Sequence, residues 1–134
     1  HDRVLRQEFE KRGGVEAKHT GDGFMVSFER PLDAVESAVA IQRTLAEHRR
    51  TNGFAPWVRI GLHTAEATPQ GRDFAGGGVH LAARVGAIGE REEVVASADT
   101  LSAAGTIRYP VSEARTVALK GIKEPVEVRS ILWA

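Results

Sequence analysis

The sequence contains no cysteine, which excludes a disulfide framework and a thiolate metal site and suits a reducing compartment. It also carries no net charge: eighteen Lys and Arg balance eighteen Asp and Glu. No bulk field therefore favours nucleic acid or an anionic membrane surface as a partner, and any anion must be bound locally. No apolar run approaches the roughly 20 residues of a membrane span, and no charged-then-apolar leader opens the chain. These absences lead to the expectation of a cytoplasmic domain without nucleic-acid partner or direct membrane contact, whether its parent is soluble or membrane-attached. Missing as well are the phosphate-loop lysine-threonine pair and the spaced glycines of a dinucleotide site. His19, His48 and His63 show no metal-ligand pairing, and no Ser-His-Asp set suggests a nucleophile. What remains is a length of 134 residues, enough for one domain with a real core. The chain opens mid-helix with HDRVLRQEFEKR, as though its true start lay upstream.

Val4, Leu5 and Phe9 recur at helical spacing among charges, and Gly13-Gly14 stops that helix. The segments 15–19 and 24–28 read as two strands joined by Thr20-Gly21-Asp22-Gly23, a glycine-bracketed hairpin turn. Pro31 opens an amphipathic helix through Leu32, Val35, Val39, Ile41 and Leu45 to about Arg50, which Asn52-Gly53 closes. A strand over 57–64, a helix over 79–88 after three glycines, and a short strand over 93–97 follow. Ser97 is placed to cap a brief helix through Ala103, and strands are expected over 107–110, 116–119 and 126–133 around a Lys-Gly turn. The order α-ββ-α-β-α-β-α-βββ favours an α+β sheet with helices on one face, in a single domain over residues 1–134.

Three clusters could carry chemistry. Asp22, at a hairpin tip between glycines, suits a hard cation, although an ordinary turn aspartate satisfying its own backbone would look the same. Lys18 lies just upstream, where a solvated edge-strand lysine is the bland alternative. The run from Asp73 through Gly76-Gly77-Gly78 to His80 and Arg84 joins a carboxylate, flexible glycines and two polar residues one helical turn apart. Glycines at a helix start let phosphate or ribose approach amide donors, and an arginine can stabilise charge developing on phosphate. A hydrogen-bonded helix pair explains His80 and Arg84 equally well on this pattern. Lys120, before Gly121, could hold phosphates or simply solvate a turn.

Taken together, Lys18 to Met25, Arg59 to Thr64, Asp73 to Arg84, and Leu119-Lys120-Gly121 resemble the class III adenylate and guanylate cyclases in order and spacing, most closely bacterial and particularly actinobacterial ones. The resemblance covers nearly the whole chain. It implies a ferredoxin-like α+β core, with a mostly antiparallel sheet, working as a head-to-tail homodimer. It also implies two Mg²⁺ or Mn²⁺ ions per site and conversion of ATP to 3′,5′-cyclic AMP and pyrophosphate in intracellular signal transduction. By that resemblance Asp22 matches the second metal-binding aspartate, the first belonging to a strand that would precede His1. Lys18 and Asp73 match the pair that reads adenine, Arg84 the arginine that stabilises the pentavalent phosphorus, Lys120 the lysine on the β and γ phosphates, and Arg59 a further phosphate-binding arginine. His80 stands where most members have a ribose-orienting asparagine, which leaves turnover rather than fold open. A catalytically silent module that binds nucleotide or only dimerises is the rival reading. A diguanylate cyclase would need a Gly-Gly-Asp/Glu-Glu-Phe loop, and none occurs.

Overall fold

In a computed structural model, residues 2–20, 23–53, 57–64, 85, 89, 92–118 and 125–134 are described. The element that organises them is helix α2, Pro31–Asn52. Pro31 at its first position has a φ already suited to a helix and no N–H to lose. Asp33 in the first turn and Arg49 and Arg50 in the last complement the helix dipole. Gly53 ends it in the left-handed conformation (φ 75°), its N–H donating to the Arg49 carbonyl. Val35, Ala38, Val39, Gln42 and Leu45 fall on one face at spacings of three and four, and all are buried.

Before α2 come α1, Asp2–Glu10, and the hairpin of β1, Val15–Thr20, with β2, Gly23–Ser27. After it come β3, Ile60–Leu62; β4, Val94–Ser97; α3, Ala98–Ala104; β5, Arg115–Val117; and β6, Val126–Ile131. Among the described residues β1 and β2 pair with each other, and the remaining strands form a sheet in the order β3-β4-β6-β5. Only the β3–β4 pair is parallel. This is the α+β architecture expected.

Both described helices that touch the larger sheet, α2 and α3, pack on the same face. There Val35, Ala38 and Val39 meet Leu62, Val94, Ala96 and Ile131, with Leu101 and Ala104 closing the edge. The other face is buried too: Val95 and Val128 pack against Val85, and all three are fully buried. Because β4 is covered on both sides, its sequence Val-Val-Ala-Ser shows no alternation of apolar and polar residues. Val85 is the one described residue of the expected helix over 79–88 that is helical; the rest of that expectation lies outside the described residues.

Two expected strands are corrected. The strand read over 57–64 is regular only at Ile60–Leu62. Its partner β4 begins opposite Ile60, at Val94, and Glu92 just before it turns left-handed (φ 67°), so the ladder cannot extend back to Trp57. Trp57 instead stacks on the Arg49 guanidinium, 3.9 Å from the ring centre. The strand read over 107–110 is absent. Ile107 and Tyr109 do alternate inward, but onto the core, while Arg108 turns out to Glu36. The alternation there packs side chains without forming a ladder, and the backbone is first bonded at the Pro110 carbonyl, which accepts from the Leu132 N–H. Pairing resumes at the single bridge between Val111 and Ile131, just past Pro110, which has no N–H to give. At the chain end, Leu132 and Trp133 also fall outside β6.

The α1–β1 junction yields a stability prediction. A Cβ on Gly14 would lie 2.7 Å from Phe28 Cε2 and 2.8 Å from the Phe9 carbonyl oxygen. The ring could give way, but the helix backbone could not. Gly14→Ala should therefore destabilise the fold by about 1–3 kcal/mol. A lowered urea midpoint at unchanged m-value is the expected result.

Candidate functional site

The β1–β2 hairpin is the first element of the site. Thr20 pairs with Gly23, which leaves Gly21 and Asp22 as a two-residue connection, the shortest common hairpin loop and one that glycine favours. Asp22 itself lies outside the described residues. Lys18 enters by its backbone, opposite Met25, directly after an irregularity in the ladder: Glu16 pairs with Val26 and Lys18 with Met25, so Ala17 is the extra residue of a bulge. A bulge re-aims the residues that follow it, and such features concentrate beside functional sites. Nothing in the one-dimensional pattern announced it.

Arg59 is exposed and immediately precedes β3. Asp73, His80, Arg84 and Lys120 lie outside the described residues. The described scaffold thus fixes the position of Lys18 and Arg59 and the frame of the connection bearing Asp22; the other assignments stand on the sequence. Among the described residues no three carboxylate, imidazole or thiol groups converge as a metal site would require.

One polar cluster escaped the sequence reading. β3 and β4 run in parallel with Leu62 beside Ala96, so the residues leaving their C-terminal ends, His63 and Ser97, become neighbours. His63 Nδ1 lies 2.9 Å from Ser97 Oγ, and Ser97 Oγ is 3.0 Å from Thr100 Oγ1. The Thr64 hydroxyl donates to Thr100 Oγ1 at 3.1 Å. Ser97 also caps α3, accepting from the Thr100 N–H at 3.3 Å. Burial holds the His63 imidazole below its ordinary pKa, partly offset by the carboxylate of Asp99. The capping role of Ser97 was legible in sequence; its bond to His63 depends on strand pairing and was not.

A groove of about 280 Å³ lies beside α2, between Arg12, Glu36, Arg43, Arg108 and Tyr109. Its cations are committed: Arg108 to Glu36, Arg43 to the Trp133 carbonyl and Arg12 to Glu8. The Arg108 guanidinium and the Tyr109 hydroxyl hold the Glu36 carboxyl below its usual range. With each guanidinium engaged, the groove reads as a surface brace rather than a site.

Comparison with known proteins finds no protein-family model that matches the chain. Individual relatives do match. Receptor-type adenylate cyclase GRESAG 4.2 of Trypanosoma brucei brucei is 26% identical over 174 aligned positions, covering 96% of this chain and 30% of its own length. An uncharacterised protein of Mycobacterium tuberculosis, Rv0891c, is 31% identical over 101 residues, covering 74% of this chain and 33% of its own. The adenylate cyclase of Neurospora crassa is 29% identical over 127 residues, 76% of this chain and 6% of its own. The chain thus spans a third or less of the length of these curated relatives. Among solved structures, an adenylate/guanylate cyclase/hydrolase of Silicibacter pomeroyi superposes with a TM-score of 0.79 at 24% identity, over 98% of this chain and 81% of that one. An adenylate cyclase of Trypanosoma brucei gives 0.78 at 19% identity, over 98% and 75%. The guanylate cyclase domain of a Catenaria anguillulae protein in complex with GTP gives 0.75 at 16%, over 98% and 80%.

Proposed function

Because the chain belongs to the class III adenylate/guanylate cyclases, we propose that it converts ATP to 3′,5′-cyclic AMP and pyrophosphate at the interface of a head-to-tail homodimer. The observation that carries this reading is the β1–β2 hairpin, whose two-residue connection holds a carboxylate four residues from Lys18, in a chain whose fold superposes on a cyclase structure. Solved relatives act on either purine, so the base preference rests on this chain's own residues. A lysine ammonium at position 18 donates to the adenine ring nitrogen, and the carboxylate of Asp73 accepts from the exocyclic amine.

In the reaction the ribose 3′ oxygen attacks the α phosphorus, the bond from that phosphorus to the bridging oxygen breaks, and the hydroxyl proton is lost as pyrophosphate leaves. Asp22 would hold the two divalent cations, Mg²⁺ or Mn²⁺, which would supply charge neutralisation for the transfer. Lys120 and Arg59 bind the polyphosphate, Arg84 stabilises charge on the α-phosphoryl oxygens, and His80 orients the ribose. Catalysis is then largely positioning and electrostatics, as in other phosphoryl transfers.

Asp22 and Arg59 serve one face of the nucleotide, and Lys18, Asp73, His80, Arg84 and Lys120 of the partner protomer serve the other. A monomer holds no complete site. In the intact protein, metal-dependent cyclic AMP formation is expected, with specific activity that falls as dilution separates the protomers. Specific activity constant through the dissociation range, or no cyclic nucleotide from either ATP or GTP, would refute it.

A further inference from the structure

The cluster at the C-terminal ends of β3 and β4 belongs to none of the roles above, and its hydrogen bonds can be counted to completion. Ser97 and Thr100 are each 1% exposed, so neither hydroxyl can turn to water. A hydroxyl has one proton to give and two lone pairs to fill. Thr64 donates to Thr100. If Thr100 in turn donates to Ser97, the Ser97 oxygen accepts twice, from the Thr100 hydroxyl and the Thr100 N–H, and its own proton goes to His63 Nδ1. Every proton in the set is then used.

With Thr64 donating to Thr100, the opposite orientation fails this count. With Nδ1–H donating to Ser97, the Ser97 lone pairs are filled by the ring and the Thr100 N–H, so its proton must go to Thr100. Thr100 then accepts from both Ser97 and Thr64, and its own buried proton has no partner in the set. A buried unpaired hydroxyl is unfavourable enough to decide the direction.

We infer that His63 is held with its proton on Nε2 by a one-way relay, Thr64 to Thr100 to Ser97 to His63, and that protonating the ring undoes the junction of β3 with α3. An imidazolium carries a hydrogen on Nδ1 as well, so the relay can accept it only by reversing each hydroxyl back to Thr64 or by orphaning Thr100. Asp99 of α3 is the charged group that acts on the ring among the described residues; the ring's hydrogen-bond partner, Ser97 at the end of β4, does not titrate. Asp99 favours the charged ring, and burial and the relay oppose it. The sign follows: with the folded pKa depressed below its ordinary 6.5, the junction's contribution is whole above that value and is lost as pH falls through the folded pKa. In the sequence Thr64 is followed by residues 65–84, which carry the proposed Asp73, His80 and Arg84.

The test is a pH series of ¹⁵N–¹H spectra of the His63 ring, which reads tautomer and pKa without reference to any catalytic activity. Above the titration, Nδ1 is expected to resonate as an unprotonated, pyridine-type nitrogen and Nε2 as a protonated, pyrrole-type one, with a midpoint below 6.5. Thr100→Val keeps the shape but removes the relay's middle hydroxyl, and should admit the Nδ1–H tautomer and raise the midpoint toward 6.5. A wild-type ring protonated on Nδ1, an even mixture of tautomers, or a Thr100→Val spectrum identical to wild type overturns the inference.

Discussion

Asp22→Ala is expected to reduce metal-dependent cyclic AMP formation by at least about a hundredfold, the scale seen when one charge-stabilising group is lost from a transition state. On the proposed assignment the loss is of a whole charge from the cation's ligands, so the lower end of that scale is a floor. The fold should barely register the change. The connection it sits in is framed by the Thr20 to Gly23 pair and by the ladder back to Val15 and Ser27, all of it backbone pairing that the substitution leaves in place. Circular dichroism should superpose on wild type, while adding Mn²⁺ should recover little activity at any concentration. Wild-type rates in this variant would remove Asp22 from the metal site.

The second large effect is on base selection. Guanine offers a carbonyl where adenine offers an amine, so with GTP bound the Asp73 carboxylate would face an acceptor. A buried polar group left unpaired costs about 1–3 kcal/mol, which sets discrimination at roughly tenfold or more in favour of ATP. Exchanging the pair's chemistry, Lys18→Glu with Asp73→Gly, removes the donor and the acceptor that adenine needs and supplies an acceptor for guanine's ring N–H. The double variant should lose ATP turnover steeply and gain measurable GTP turnover, read as paired rates with Mn²⁺ present. If it keeps the wild-type ATP preference, Lys18 and Asp73 do not read the base.

The parts of the fold that were legible in sequence are those in which local chemistry and tertiary structure agree. Thr-Gly-Asp-Gly marked the hairpin because only such residues make a two-residue turn cheaply, and Pro31 with Gly53 bracketed α2 for equally local reasons. Ser97 capped the helix it was expected to cap. The errors arose where a strand-like pattern had no strand beside it. Around Trp57 the pairing ends with the Glu92 N–H on the Val58 carbonyl, where Glu92 turns left-handed, and at 107–110 the inward residues packed on α2's layer while the backbone formed no ladder before the Pro110 carbonyl. The relay on His63 was invisible for a related cause: it is assembled by the β3–β4 register, a pairing across thirty-odd residues that no spacing within the sequence encodes. The bulge before Lys18 belongs with it, since a one-residue slip between two strands leaves no mark on either. Of the candidate site, sequence supplied the residues and the structure the frame for two of them and for the Asp22 connection. Asp73, His80, Arg84 and Lys120 remain assignments from the sequence, lying outside the described residues.

The central claim is a cyclase site completed by two protomers, and mixing two inactive variants tests it most directly. Asp22→Ala disables one half of each site and Arg84→Ala the other, so each homodimer should be inactive. A mixed dimer carries one site with both lesions and one with neither. Random exchange at equal concentrations should therefore restore about a quarter of the wild-type rate of cyclic AMP formation, since half the dimers are mixed and each has one intact site of two. Recovery on that scale, rising with the time allowed for exchange, is the predicted result. If the variants exchange protomers, as a tagged pull-down would show, and cyclic AMP formation stays at the level of either alone, the shared site is wrong.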